Sequence, residues 1–336
     1  MNLITGATGL VGAHVALQLL QAKQPVVAIK RNTSDVTKTK NLFSYYTNDA
    51  DVLFNQIKWV DADVSDIYSL LDALENITTV YHCAGFVSFD DKKDGKQMQK
   101  INAEGTANMV NACLEKKDVV LCHVSSVATL QNPDMITNIN ESLIWKSSPN
   151  ASQYAISKYN GEREVWRGIE EGLQAVIVNP SIILGPGFWS QSSGKLFSDA
   201  VKRGTFYPDG GGACVDARDV ANCMIKLIEQ KALGKRYIIS EGNYAFKHLT
   251  TTILEEFGVK APHIHAGKML LKTGQWLDAL ATLFTGKERL LTNNIVNSLL
   301  ETTTYNNKRI IETLNYQFIP LNDSVQFICK AFKKEL

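Results

Sequence analysis

The run Gln153-Tyr154-Ala155-Ile156-Ser157-Lys158 sets a phenol and an ammonium four residues apart, a spacing that a helix turns onto one face, about one turn apart. The pairing has a chemical use. A free tyrosine has a pKa near ~10, and lowering it by about 3 units, to work at neutral pH, takes roughly 4 kcal/mol of preferential phenolate stabilisation. A lysine ammonium one turn away, joined by an oxidised nicotinamide ring, carries charge of the right sign. Tyr154 would then take a proton from an alcohol, or give one to a ketone. Ser125 and Ser126 close the apolar run Val119–Val124; a hydroxyl at the C-terminal edge of a sheet can hydrogen-bond a reacting oxygen as its charge develops. Ser126 is the expected catalytic hydroxyl and Ser125 a packing or turn residue. Alone, a Tyr-x-x-x-Lys spacing arises often by chance and a Ser-Ser pair at a strand end is ordinarily a cap, so their weight comes from their company.

That company begins at the N-terminus. Thr5-Gly6-Ala7-Thr8-Gly9-Leu10-Val11-Gly12 follows a short apolar run and opens a helical pattern, where unpaired backbone N–H groups and the helix dipole favour a pyrophosphate. Gly6 permits the turn, Gly9 lets the backbone approach phosphates, and Gly12 allows close packing of helix on strand. The second strand discriminates between the nicotinamide cofactors, because an acidic residue at its end would bind the ribose 2′-hydroxyl and repel a 2′-phosphate. It ends Ala28-Ile29-Lys30-Arg31-Asn32. Arg31 offers a planar fork to a phosphate and Lys30 adds positive charge, so the expected cofactor is NADP(H), with NAD(H) as the other candidate. Solvated strand-end cations are the bland reading of the same pair.

Positioning such groups requires a parallel sheet with helices on both faces, and the first half alternates in that manner. Strands are expected at Asn2–Thr5, Pro25–Lys30, Ile57–Val60, Thr79–Cys83, Val119–Val124 and Ala175–Val178, and helices near Val11–Ala22, Ser65–Leu74, Ala103–Glu115 and Gln153–Glu171. After Pro180 the rhythm breaks; a helix (Asp219–Gln230) and a strand (Arg236–Ser240) rejoin the sheet, and the remainder is largely helical. The expected architecture is thus a Rossmann-like α/β doubly wound parallel sheet with a smaller, mostly helical C-terminal lobe. Residues 1–180 and 213–240 would form the dinucleotide-binding domain, and residues 181–212 and 241–336 the substrate lobe.

Composition agrees with an ordinary globular chain: 336 residues, 45% hydrophobic, 21% charged, with a formal net charge of +1 that gives no reason to invoke nucleic acid or an anionic membrane. The six cysteines form no Cys-x-x-Cys pair, and His263-Ile264-His265 lacks a third ligand nearby, so no metal is expected. With no apolar run of membrane-spanning length and no room for a signal peptide before the first strand, a cytoplasmic location is expected by default.

Taken together, the motifs resemble the extended short-chain dehydrogenase/reductase superfamily, also described as NAD-dependent epimerase/dehydratase. The carriers are the glycine turn, Asp63-Val64, His82-Cys83-Ala84-Gly85, Asn102 through Thr106, Val124-Ser125-Ser126, Tyr154 through Lys158, Asn179-Pro180-Ser181 with Gly185-Pro186-Gly187, and Val215-Asp216-Ala217-Arg218-Asp219-Val220. The resemblance covers nearly the whole chain. It implies that Asp63 and Val64 meet the adenine, that Cys83, Ala84 and Gly85 meet the cofactor's central portion, and that Asn179, Pro180 and Ser181 lie on the nicotinamide side. Asn102 would be a structural or proton-relay residue, or a helix cap. Tyr154 would act as acid/base, Ser126 would orient the substrate oxygen, and Lys158 would bind the nicotinamide ribose and lower the tyrosine pKa. A homodimer through the long sheet-flanking helices is the family-based expectation.

Two positions select a branch. Dehydratases of the family place an Asp-Glu pair directly after the catalytic Ser or Thr, whereas Val127 and Ala128 stand here; sugar epimerases carry an arginine shortly before the Val-x-x-x-Asp motif, whereas this chain reads Gly210-Gly211-Gly212-Ala213-Cys214. With Arg31 and Asn179-Pro180, the chain is similar to the dihydroflavonol-reductase-like branch, whose members reduce ketones or aldehydes with NADPH. A small-molecule carbonyl or alcohol substrate is therefore expected, with Phe86, Phe188 and Trp189 lining an apolar pocket together with Ser126. A nucleotide-sugar epimerase and a non-catalytic NADP(H) sensor are the alternatives. The segment Met269–Phe284 is amphipathic, either a lid or core packing in the small lobe.

Overall fold

A computed structural model describes residues 1–131, 137–148, 151–189, 193–285 and 291–335. Its strands are β1 (Asn2–Thr5), β2 (Val26–Lys30), β3 (Lys58–Asp61), β4 (Thr79–His82), β5 (Val120–Val124), β6 (Ala175–Pro180), β7 (Ile182–Leu184), β8 (Phe206–Tyr207), β9 (Gly211–Asp216), β10 (Arg236–Ile239), β11 (Gly242–Ala245) and β12 (Ile264–His265). Seven of them form one parallel sheet in the order β10-β6-β5-β4-β1-β2-β3. The chain winds outward through β2 and β3, then returns to the other side of β1, which makes the β1/β4 boundary the switch point where a crevice opens beyond the strand ends.

Both faces of the sheet are covered, so its strands read as unbroken apolar runs rather than alternating ones. Alternate residues still serve opposite faces. Leu3, Leu121 and Ile177 join a core with Leu70, Val110 and Val165 from the helices Ile67–Ala73, Gly105–Lys116 and Gln153–Glu170. Ile4, Cys122 and Val176 join the opposite core with Val15, Leu19 and Leu227 from the helices Leu10–Gln21 and Ala217–Glu229. All six cysteines are free thiols, Cys83 half-buried and the others buried.

The expected strands and helices of the first half are present within a few residues, and the structure adds what short or polar patterns hid. Helices Thr37–Ser44 and Ala50–Asn55 fill the β2–β3 connection, and the helix Asp91–Met98 runs through a π-helical turn, Gln99–Glu104, into Gly105–Lys116. A second sheet, β11-β9-β7, lies beside the first. Its strand β9 runs across the boundary expected at residue 213, and Ile310, Leu314 and Tyr316 from the C-terminal region pack back on the large-sheet core. In the helix Lys268–Thr285, Leu271 is buried with Ala266 and Val296, while Met269, Leu270, Trp276 and Leu277 are exposed. Among the described residues, no helix is long and apolar enough to cross a membrane.

Candidate active site

The turn after β1 is shaped by contacts that only glycine permits. Gly6 has φ +67°, and a Cβ there would stand 2.7 Å from the Ala84 backbone nitrogen. A Cβ on Gly12 would stand 2.4 Å from the Gly6 carbonyl oxygen, so the helix lies directly on the turn. Gly9 is the N-cap of Leu10–Gln21 and supplies no side-chain cap. The helix start therefore presents uncapped backbone N–H groups, the donor set a pyrophosphate takes.

Thr5 faces inward. Its hydroxyl accepts from Ala84 N (2.9 Å) and meets His82 Nδ1 (2.8 Å), while His82 Nε2 meets Thr106 Oγ1 (3.1 Å) and Thr106 donates to the Asn102 carbonyl (2.7 Å). This chain of bonds is satisfied by a neutral His82, and burial pushes that imidazole down to about 3. The expected cofactor contacts Thr8, Leu10 and Val11 are half-buried at the turn, and a Cβ on Gly185 would press on Leu10 at 2.8 Å.

At the sheet's other edge Lys30 is ion-paired with Asp61. Arg31 is exposed; its backbone N–H donates to Ser34 Oγ (3.1 Å), and among the described residues no hydrogen bond or ion pair engages its guanidinium. The second strand's two cations thus divide, one neutralised and one available. Asp63 accepts from the Ser65 backbone and hydroxyl (2.8 and 2.9 Å); these bonds and the Arg31 guanidinium hold its carboxyl below the usual range against the opposing effect of burial. Val64 is buried in the helix-side core, where a Cβ on Gly105 would meet its methyl at 2.8 Å.

From the glycine turn the site continues through β4 to the helix Gln153–Glu170. Ala84 touches Gly6, and a Cβ on Gly85 would lie 3.3 Å from Asn102 Oδ1 and 3.8 Å from Lys158 Nζ. Asn102, buried in the π-helical turn, accepts from Phe86 N (2.7 Å) and donates to Phe86 O (2.9 Å) and Ser157 Oγ (2.9 Å). It lies inside the π-helical turn and is not a helix cap: in its structural role it clamps the loop after β4 to the helix Gln153–Glu170. That helix starts at Ser152, whose hydroxyl accepts from Ala155 N (3.1 Å). Lys158 is buried, its Nζ donating to Val124 O (2.6 Å), and burial lowers its pKa to about 8.

Tyr154 is half-buried. Burial raises its pKa above the ordinary value, and the Ser126 side chain opposes that shift. The residue spacing predicts a tyrosine lowered by Lys158; in the chain by itself the phenol is held protonated, because burial outweighs the help it receives and the lysine's bond goes to Val124. Ser126 Oγ also accepts from Ala128 N (3.1 Å), whereas Ser125 Oγ donates to Glu162 (2.6 Å). The two serines are thus separated by role.

Asn179 is buried on β6 with Nδ2 directed at Ser126 O (3.1 Å), Thr129 Oγ1 (2.9 Å) and Glu162 Oε2 (2.8 Å), and its Oδ1 finds no partner among the described residues. Pro180 and Ser181 follow at the strand end, Ser181 N donating to Ile239 O (3.0 Å). The expected pocket aromatics scatter. Phe86 is at the site, its backbone held by Asn102; Phe188, at φ +54°, packs against the large-sheet core. Trp189 packs between Tyr45, Phe197 and Phe332 (ring centroids 6.4, 6.4 and 4.7 Å) as core of the small lobe. Val87 and Phe89, which flank Ser88 after Phe86 in sequence, are exposed.

A doubly wound parallel sheet carrying a phosphate-type glycine turn at its switch point, with a phenol and an ammonium on the adjoining helix, defines an NAD(P)-dependent oxidoreductase. The chain belongs to the NAD dependent epimerase/dehydratase family, the extended short-chain dehydrogenase/reductases, whose family model matches residues 2–240. It is 29% identical over 244 residues to the sterol demethylase protein B of Methylococcus capsulatus, covering 71% of this chain and 69% of that one. It is 28% identical over 274 residues to the dihydroflavonol 4-reductase of Zea mays, covering 76% and 74%. The crystal structure of the yeast methylglyoxal/isovaleraldehyde reductase complexed with NADPH matches with a TM-score of 0.75 at 18% identity, over 100% of this chain and 99% of that one.

Proposed function

We propose that this chain is an NADP(H)-dependent reductase of a small ketone or aldehyde, run in reverse as an alcohol dehydrogenase. The observation that carries the reading is the Ser126 side chain acting on a tyrosine that burial keeps protonated: a loaded general acid suits delivery of a proton to a carbonyl oxygen. The Gly6–Gly12 turn would hold NADPH, which when bound would supply the hydride. Ser126 donates to the carbonyl oxygen and fixes its direction; Tyr154 protonates that oxygen as negative charge develops. Lys158, one turn along the helix from the phenol, would hold the nicotinamide ribose with its ammonium, and Ala84 and Gly85 would border the cofactor's central portion. Arg31 would take the 2′-phosphate, since among the described residues its guanidinium has no ion pair, whereas Lys30 is paired with Asp61.

Support for a carbonyl substrate rather than a sugar nucleotide comes from the short 3-10 turn Val127–Thr129 after Ser126, which holds no acid for an elimination, and from the arginine-free stretch Gly210–Cys214. The Zea mays relative, a reductase by name, agrees with this reading. Exposed Val87 and Phe89 beside the site favour an apolar carbonyl. The test is a fluorescence titration with NADPH and NADH, followed by a carbonyl panel and a set of UDP-sugars. NADPH should bind about tenfold or more tightly than NADH, and at least one apolar ketone or aldehyde should consume it. Tighter NADH binding would remove the Arg31 argument; sugar interconversion without net cofactor consumption would replace the reductase by an epimerase.

A further inference from the structure

Tyr154, Lys158 and Glu162 recur every four residues on one helix, and the third of these has no part in the chemistry described so far. Glu162 is buried, and its oxygens are surrounded by donors. Oε2 receives Ser125 Oγ (2.6 Å), Thr129 Oγ1 (2.8 Å) and Asn179 Nδ2 (2.8 Å); Oε1 receives Trp166 Nε1 (3.3 Å) and Arg236 Nη1 (2.9 Å). Five donors and no acceptor describe the environment of a carboxylate.

Two of these partners also grip the Ser126 carbonyl: Asn179 Nδ2 at 3.1 Å, and the Thr129 hydroxyl at 2.9 Å, which shares its single proton between that oxygen and Glu162. A third partner, Ser125, is the residue between Ser126 and Val124, whose carbonyl holds Lys158 Nζ. Arg236 completes the cluster from β10 and bonds the carbonyls of Glu141 (2.9 Å) and Leu143, in the segment that continues from the Ser126 turn.

We infer that Glu162 is a positioning residue of the reductase site: its buried carboxylate fixes the Val124–Thr129 turn so that the Ser126 hydroxyl meets Tyr154, and provides the counter-charge beside Lys158. The assignment of roles to Ser126, Tyr154 and Lys158 on which this rests is the reading proposed above. The titratable groups facing Lys158 are Cys83 and His82 at the end of β4, His123 on β5 and Glu162. Burial pushes the Cys83 thiol up to about 12 and both histidines down, leaving these three neutral. Glu162 is then the one anion among them, and its charge opposes the desolvation that lowers the lysine.

The test pairs Glu162→Gln, which keeps the shape and removes the charge, with Thr129→Val, which keeps the charge and removes one donor. Lys158 is titrated directly by NMR of side-chain-labelled lysine, its signal assigned with Lys158→Met, and turnover is measured with NADPH and the best carbonyl of the panel. Glu162→Gln should lower the Lys158 midpoint by about one unit or more and kcat by about tenfold or more, with the alkaline limb of kcat/KM moving by the same amount. Thr129→Val should leave the Lys158 midpoint in place while kcat falls. A Lys158 midpoint unchanged in Glu162→Gln, or full kcat in Thr129→Val, would overturn the inference. If Glu162→Gln does not fold, the kcat of Thr129→Val decides it. Should no carbonyl be turned over by the unaltered protein, the reductase reading fails separately, and the lysine titration, which needs no substrate, still decides whether Glu162 is the counter-charge.

Discussion

At the scale of single residues, the site is built from polar groups placed where water cannot reach them. Lys158 shows the cost. Its pKa falls from near 10.5 to about 8 on burial, a differential of about 3 kcal/mol against the ammonium form. Because a base with a lowered folded-state pKa binds its proton more weakly than the unfolded chain does, stability is lost as pH falls from 10.5 toward 8, and the full penalty persists below 8. Lys158→Met should therefore be more stable than the unaltered protein at neutral pH, by about 1–3 kcal/mol once the lost bond to Val124 is set against the gain, and the gap should close as pH rises toward 10.5. Chemical denaturation at neutral and alkaline pH measures this; a destabilised variant at neutral pH would contradict it. The sequence pointed to Tyr154, Lys158 and Ser126 because a four-residue spacing and a strand-ending hydroxyl are local patterns. It could not show Glu162 or Arg236, since each looks like a solvated charge until the fold buries it, nor separate the solvent-facing Arg31 from the neutralised Lys30.

At the scale of elements, one contact decides how the π-helical turn Gln99–Glu104 meets the helix Gln153–Glu170. A Cβ on Gly161 would lie 2.1 Å from the Asn102 carbonyl oxygen, so the π-helical turn and Gln153–Glu170 touch backbone to backbone. Gly161→Ala should force them apart, loosen the Asn102 bonds to Phe86 and Ser157, and destabilise the fold by about 1–3 kcal/mol; an unchanged melting temperature would show that the two elements do not meet this closely. The π turn was invisible in the sequence because Gln99–Glu104 carries no glycine, proline or other local break that would mark a departure from an ordinary helix. The β11-β9-β7 sheet was hidden for another reason: Gly211-Gly212 and three-to-six-residue strands carry no alternation to read. In contrast, β1 runs from Asn2 to Thr5 as expected, since a doubly covered strand bounded by a glycine turn is an unambiguous pattern.

At the scale of the whole molecule, the site exists because chain segments far apart in sequence converge at the β1/β4 switch point. The Gly6 turn leans on Ala84, Gly85 leaves space beside Lys158, and β10 sends Arg236 across β6 to the Glu162 cluster. The return of residues 310–316 to the large-sheet core ties the C-terminal region to the dinucleotide-binding layers, and the exposed Met269–Leu277 face is left apart from them. All of this geometry makes one chemical claim, that Tyr154 delivers a proton to a carbonyl while a bound dinucleotide reduces it. The direct test compares NADPH oxidation by the unaltered protein and by Tyr154→Phe, with cofactor affinity measured alongside. The account predicts equal NADPH binding and a loss of turnover of about a hundredfold or more in the variant; equal turnover in both proteins would contradict it.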